Sequence, residues 1–262
     1  MIEVQGLTKT FRSGLLRVSQ TTAVDHVSFS VARGKTLGLA GMSGSGKSTV
    51  ARILMGLLPA DSGSVCIDGK QVLALRGRAL KDYRTHTQMI YQNPTTSLNP
   101  AKKLMTSVTE PLTIHGIGDR AGRREKAIEK FRTVGLDESL LLRYPHQISG
   151  GEAQRTMIAR ALMLEPKVLI LDEPTSMLDV SIQAQILALL KQLQQELDMT
   201  YLMISHDIGV LEWFCDDLAV MYQGKIVEQG STAQLLSAPR DAYTQRLMER
   251  YRRSRDRFAA GK

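Results

Sequence analysis

Thr36-Leu37-Gly38-Leu39-Ala40-Gly41-Met42-Ser43-Gly44-Ser45-Gly46-Lys47-Ser48-Thr49 is the stretch whose reading decides the fold. Its first five residues are a short apolar run of strand type, and its last nine fit G-x-x-x-x-G-K-[ST]. Glycines there let backbone N–H groups turn inward and approach phosphate oxygens, and the following helix adds its positive end. That helix is predicted by Val50, Ile53, Leu54 and Leu57, spaced i, i+3, i+4, i+7 and stopped before Pro59. A strand, a glycine-rich loop and a helix in this order predict a phosphate-binding loop. Lys47 is expected to reach the β- and γ-phosphates of a nucleotide, and the Ser48 hydroxyl to ligate Mg2+.

Working outward, Val27–Val31 alternates as a half-buried strand and Gly34 marks the turn after it. Lys167–Leu171 reads as a fully buried strand that ends at Asp172 and Glu173, and Thr200–Ser205 as another that ends at His206. Between these two, Ile182, Ile186, Leu189, Leu190, Leu193 and Leu197 predict a helix with one apolar stripe. Strands alternating with helices predict an α/β fold, and in open α/β sheets ligands bind at the carboxyl ends of strands. Gly41, Asp172 and His206 all fall at such ends. From about residue 93 to 165 the pattern turns helical and charged, with Arg120–Val134 carrying Ile128, Phe131 and Val134 on one side. The expected organisation is one domain over 1–262. Residues 1–92 and 166–262 form its α/β core with a β subdomain, and 93–165 form an inserted helical subdomain.

Asp172 can hold the water shell of Mg2+, which prefers oxygen ligands, and Glu173 can polarise an attacking water for in-line phosphoryl transfer. Ser149-Gly150-Gly151-Glu152-Ala153-Gln154-Arg155 opens a helix that Ser149 can cap, with Met157, Ile158, Ala161 and Leu162 on its apolar face. A helix N-terminus with two glycines and a serine is a second anion site. Two phosphate sites on one chain point to a nucleotide held between two chains.

Composition narrows the class. The 262 residues are 43% hydrophobic and 23% charged, which excludes a disordered or fibrous chain. No apolar run approaches the ~18 residues of a membrane-spanning helix, and the first residues lack the pattern of a secretory signal. Cys66 and Cys215 are too few for a disulfide scaffold. A reduced, cytoplasmic chain is expected. The net charge of +8 suits a polyanion, whether nucleic acid, anionic lipid or nucleotide, or else marks an Arg-rich solvated surface; composition does not choose. His26, His86, His115 and His146 show no metal-ligand spacing. Trp213 is expected to pack a helix against the sheet. Arg246 to Lys262 is a basic run that reads either as a solvated tail or as a contact with acidic headgroups.

Taken together these residues resemble the ATP-binding subunits of ABC transporters over essentially the whole chain. The resemblance implies a P-loop NTPase core of ABC ATPase type with an antiparallel β subdomain and the inserted helical subdomain. It implies ATP and Mg2+ as cofactors. Phe11 would stack on adenine, and Gly41, Ser43, Gly44, Ser45, Gly46, Lys47, Ser48 and Thr49 would wrap the phosphates. Gln92 resembles the glutamine that contacts Mg2+ beside Ser48 and Asp172, and Glu173 and His206 resemble the catalytic pair. Ile148–Glu152 is similar to the family signature, so Ser149, Gly150, Gly151 and Glu152 would cap ATP lying on a second chain, and Ser176–Asp179 is similar to the loop that carries Asp179. Glu152 stands where the family usually has glutamine, and Met177 where it has alanine.

Finer features resemble the dipeptide, oligopeptide and nickel importers. They are Tyr91–Pro100, Glu110-Pro111-Leu112, Tyr144–Gln147, the insertion Ser13–Thr21, and Ala238–Thr244, where Ala242 replaces a proline. A short C-terminal end without a cysteine cluster tilts the expectation toward nickel or metal-chelate members. The implied partners are two membrane-spanning permease subunits, a second ATPase subunit and, indirectly, an extracytoplasmic solute-binding protein. No nucleic acid is expected, and the implied location is peripheral, at the cytoplasmic face of the membrane. The rival class is a non-transport ATPase of the same fold acting on nucleic acid or in a cytoplasmic assembly. The absence of a long coiled coil between Gly41 and Ser149, or of a second ATPase unit, argues against it.

Overall fold

The computed structural model describes residues 1–13, 19–92 and 97–260. Part of the Ser13–Thr21 insertion, residues 93–96 of the Tyr91–Pro100 stretch and the last two residues of the basic run lie outside these, and no side chain is described from 254 onward. The chain divides into two compact units: Met1–Leu75 with Thr200–Lys262, and Arg76–Met199. The second unit takes in the strands around residues 90 and 170, which the sequence reading assigned to the core.

In the first unit, β1 (Ile2–Ser13), β2 (Ser19–Val31), β4 (Ser62–Ile67) and β5 (Lys70–Gln71) form an antiparallel sheet in the order β2-β1-β4-β5. Period-two patterning builds it: Val27, Phe29 and Val31 are buried, while Ser28 and Ser30 between them are exposed. A second sheet in this unit places β3 (Thr36–Ala40) between β8 (Thr200–Ser205) and β9 (Asp217–Tyr222), parallel to both. β10 (Lys225–Ser231) pairs antiparallel with β9. Every residue of β3 and β8 is buried, as covered parallel strands require. The β9–β10 turn uses Gln223 and Gly224 at φ 47° and 83°, the positive values that a tight hairpin needs.

Helix α1 (Lys47–Leu54) buries Val50, Ala51, Ile53 and Leu54. It ends earlier than its apolar spacing predicted, because Gly56 turns the chain at φ 63°; Leu57 is 48% exposed and is no part of the buried face. Trp213 is likewise 58% exposed. Its neighbour Phe214, at the end of α7 (Ile208–Phe214), packs on the sheet instead, stacked at 5.9 Å on Tyr201. Two further helices, α8 (Thr232–Ser237) and α9 (Ala242–Ala260), complete this unit.

The second unit pairs β6 (Thr87–Ile90) with β7 (Val168–Asp172) in parallel, Ile90 opposite Leu171. Around them lie α2 (Gly77–His86), α3 (Leu104–His115), α4 (Arg120–Thr133), α5 (Gly150–Leu162) and α6 (Val180–Leu197). Leu104, Val108 and Leu112 of α3, Ala127 and Phe131 of α4 and Met157, Ile158 and Leu162 of α5 are buried. A half-buried ion network ties this unit's helices together: Glu110 on α3 accepts from Lys102 at 2.9 Å and from Arg160 on α5 at 2.8 Å.

Candidate functional site

In the first unit the phosphate loop leaves the buried end of β3 and enters α1. Two of its glycines are required by close approach. A Cβ on Gly41 would stand 2.2 Å from the Met221 carbonyl oxygen, and one on Gly46 would stand 2.0 Å from that of Ala23. Both also hold positive φ, 149° and 107°. Gly44 differs: at φ 80° its missing Cβ would point into open space, so the absence of a side chain there leaves room beside the loop backbone. Lys47 is 5% exposed. Its Nζ donates to the Gly41 carbonyl at 2.7 Å, the Met42 carbonyl at 2.9 Å and Ser45 Oγ at 3.4 Å. The lysine is therefore folded back over the loop it serves. Gly46 caps α1 with no side-chain acceptor, so the first N–H groups of the helix face the loop without a capping side chain.

His206 joins this loop by register. Ala40 lies opposite Ser205 on β8, so Gly41 and His206 leave adjacent parallel strands at the same level. The His206 side chain is exposed, and Asp207 after it caps α7 through Gly209 and Val210 N–H. Ser43 is exposed, and Ser48 and Thr49 are half-buried on the first turn of α1. Phe11, opposite Thr21 on β2, is 41% exposed. It lines an open cleft of about 640 Å³ with Lys9, Arg12, Gln20, Leu58 and Asp61, and the Lys9 ammonium sits 5.8 Å from its ring centre.

In the second unit the register of β6 and β7 brings Gln92 to Glu173. Each lies two residues beyond the Ile90–Leu171 pair, and Gln92 Nε2 donates to Glu173 Oε2 at 3.0 Å. Glu173 holds φ 49°, a left-handed backbone that a non-glycine residue adopts infrequently. Asp172 just before it is 8% exposed.

The same unit carries the serine–glycine turn at α5. Ser149 Oγ accepts from Glu152 N–H at 3.3 Å, while Glu152 Oε2 accepts from Ser149 N–H at 2.7 Å and from its hydroxyl at 2.8 Å. This is a reciprocal capping box. The Ser149 backbone N–H and then its hydroxyl hold the Glu152 carboxyl below the usual glutamate range. Gly151 is needed for packing, since a Cβ there would come within 2.8 Å of Ile182 on α6, while Gly150 has space. Asp179 caps α6, its Oδ1 accepting from Ile182 N–H at 3.0 Å.

The Mg2+ assignment has a consistent chemistry. Within the second unit Gln92 and Asp172 offer an amide oxygen and a carboxylate, and in the first unit Ser48 offers a hydroxyl, each a hard oxygen donor of the kind Mg2+ selects. The bond to Glu173 uses the nitrogen of Gln92, leaving its oxygen as the atom for a cation. Among the described residues no group of three or more His, Cys, Asp or Glu side chains is gathered as a metal site, and no helix is long and apolar enough to cross a membrane. One contact lies outside the residues singled out from sequence. Tyr243, quoted there only within Ala238–Thr244, accepts a hydrogen bond from the Met42 N–H of the phosphate loop at 3.3 Å.

Comparison with known proteins follows the same lines. A family model described as ABC transporter matches residues 24–176. The chain is 41% identical over 249 residues to the oligopeptide transport ATP-binding protein OppF of Streptococcus mutans, covering 95% of this chain and 80% of that one. It is 46% identical over 226 residues to the dipeptide transport ATP-binding protein DppF of Escherichia coli, covering 86% and 68%. Among solved structures, the ATP-binding cassette MJ0796, a dimer in a post-hydrolysis state bound to ADP and Pi, superposes with a TM-score of 0.79. It is 29% identical, over 88% of this chain and 99% of that one.

Proposed function

The chain belongs to the ABC transporter family as an ATP-binding, ATP-hydrolysing subunit, and on that premise we propose that it powers a membrane importer of peptides. The observation that carries the reading is the phosphate loop: a buried lysine folded over a glycine turn at the end of a parallel strand. The choice of peptides over nickel rests on the names of the relatives, which are oligopeptide and dipeptide transport proteins.

Lys47 exchanges carbonyl partners for the β- and γ-phosphates when ATP enters, and the N–H groups opening α1 supply further donors. Ser48, Gln92 and Asp172 would hold the Mg2+ that accompanies ATP, and when bound it would neutralise charge on the phosphate oxygens. Glu173 accepts a proton from the attacking water as the water oxygen bonds to the γ-phosphorus and the bond to the β–γ bridging oxygen breaks. Gln92, through its bond to Glu173, keeps that carboxylate oriented. His206 contacts the γ-phosphate, and Phe11 stacks on adenine.

Two ATPase subunits lie head to tail, Ser149 and Gly151 of one covering ATP on Lys47 of the other. The dimer described for MJ0796 supports this arrangement. Closure of the pair drives two permease subunits that receive peptide from a solute-binding protein, and the ATPase sits peripherally at the cytoplasmic face. The test is uptake of radiolabelled dipeptide and of nickel in cells lacking the chain, restored with the parent or with Glu173→Gln. Restoration of dipeptide uptake by the parent alone supports the proposal. Restoration of nickel uptake alone, or of either by Glu173→Gln at the parent rate, overturns it.

A further inference from the structure

We propose that Tyr243 is a positioning residue of the nucleotide site, tethering the phosphate loop to the C-terminal segment of the chain. The inference deepens the ATP-binding reading above and rests on it. Met42 is the second residue of the loop, and both ends of its peptide are held. Its carbonyl accepts from Ser45 N–H at 3.2 Å and from Lys47 Nζ at 2.9 Å. Its N–H donates to Tyr243 Oη at 3.3 Å. Among the described residues, the bond that reaches Met42 from outside the loop therefore bears on the residue that also parks the lysine.

The segment that presents Tyr243 is itself built to hold it. Glu228 on β10 accepts from Arg240 and Asp241 N–H at 2.8 and 3.1 Å. Asp241 in turn accepts from Tyr243 and Thr244 N–H at 2.8 and 3.1 Å, starting α9. The Tyr243 ring stacks on Tyr222 with centres 4.2 Å apart. Tyr222 ends β9, the strand whose Met221 carbonyl crowds Gly41, and Gly224 in the next turn donates to the Ser45 carbonyl at 3.1 Å. The loop is thus braced along its outer side by residues from 221 to 243, and Tyr243 is the brace that arrives from the C-terminal helix.

Removing the hydroxyl while keeping the ring isolates that bond. Tyr243→Phe retains the stack on Tyr222 and frees the Met42 N–H. Tyr251→Phe is the matched control, since Tyr251 Oη donates to Glu212 and anchors the same helix without touching the loop. Equilibrium dialysis of the purified full chain against radiolabelled ATP with Mg2+ gives Kd, and steady-state turnover gives KM and kcat. For Tyr243→Phe, Kd and KM are expected to rise about three- to tenfold, the net worth of one hydrogen bond. Turnover at saturating ATP stays within about twofold, because the bond is made before and during reaction alike. Tyr251→Phe leaves Kd at the parent value. An unchanged Kd for Tyr243→Phe, or an equal rise in both variants, overturns the inference. Failure of the parent itself to bind ATP overturns the ATP-binding reading, and this inference with it.

Discussion

Gly44→Ala and Gly46→Ala form a matched pair that separates backbone strain from crowding in the phosphate loop. Both glycines hold positive φ, 80° and 107°, where an L residue costs about 1–2 kcal/mol. The stiffer unfolded chain of alanine returns about 0.4–1 kcal/mol in each case. For Gly44 the account ends there, because its Cβ would meet nothing within 4 Å, and the net loss is at most about 1.5 kcal/mol. For Gly46 the Cβ would stand 2.0 Å from the Ala23 carbonyl oxygen and 2.7 Å from Met221 Cε, against an ordinary contact of 3.4 Å or more. The methionine tip can move aside, but the Ala23 carbonyl is backbone of β2 and cannot yield without shifting the strand. Overpacking of that kind adds about 1–3 kcal/mol, so the expected loss is about 1–4.5 kcal/mol, that is, about 1–3 kcal/mol more than for Gly44→Ala. At about 2–4 °C per kcal/mol for a chain of this size, Gly44→Ala should melt within about 6 °C of the parent and Gly46→Ala about 2–12 °C below Gly44→Ala. The assay is thermal unfolding followed by circular dichroism without nucleotide, so that phosphate contacts do not enter. Equal melting temperatures for the two variants would refute the crowding argument.

Three further outcomes are expected. Glu152→Gln keeps the shape of the α5 cap and removes its charge. Because the folded carboxyl lies below the ordinary glutamate value of 4.5, the parent's advantage is complete above that value and drains away as pH falls through the folded value. Denaturation at pH 7 and at acid pH should show a gap below about 1 kcal/mol that closes on acidification, small because the cap is solvated; a gap that widens contradicts the sign. Gln154 on α5 is buried with neither its amide nitrogen nor its oxygen bonded among the described residues, so Gln154→Met should raise the urea midpoint by the equivalent of about 1–2 kcal/mol. A lowered midpoint argues against it. Glu110→Ala strips Arg160 and Lys102 of their shared carboxylate and should cost about 1–2 kcal/mol, more than Lys102→Ala; equal losses would show that the Arg160 pair carries nothing.

What could be read from sequence follows from how local each constraint is. The phosphate loop was legible because its demands are contiguous: a buried strand, glycines for close approach and a lysine all fall within fourteen residues. The Ser149 cap was legible for the same reason, but its reciprocal partner Glu152, three residues on, was read only as a departure from the family's glutamine. Leu57 was misplaced because apolar spacing cannot register that Gly56 takes φ 63° and ends the helix. Trp213 was misplaced because three apolar residues in a row, 213–215, do not say which one faces the sheet. Gln92 and Glu173 were each picked out, but their contact depends on a strand register set 81 residues apart. Tyr243 lay furthest from view: a single tyrosine two hundred residues from the loop acquires its partner only through the Glu228 and Asp241 turn.

The β6–β7 register also sets where the chain should tolerate insertion. Gln92 and Glu173 are aligned by two strand ends, each two residues past a fixed pair, and α5 packs against β6, the strand that presents Gln92. A change in the length of α3 or α4 would leave the strand register itself in place. A single residue inserted between Ile90 and Gln92, by contrast, would slide the amide by about one 3.3 Å strand step and cut the bond. Tolerance to insertion along this stretch should therefore change abruptly at the strand end.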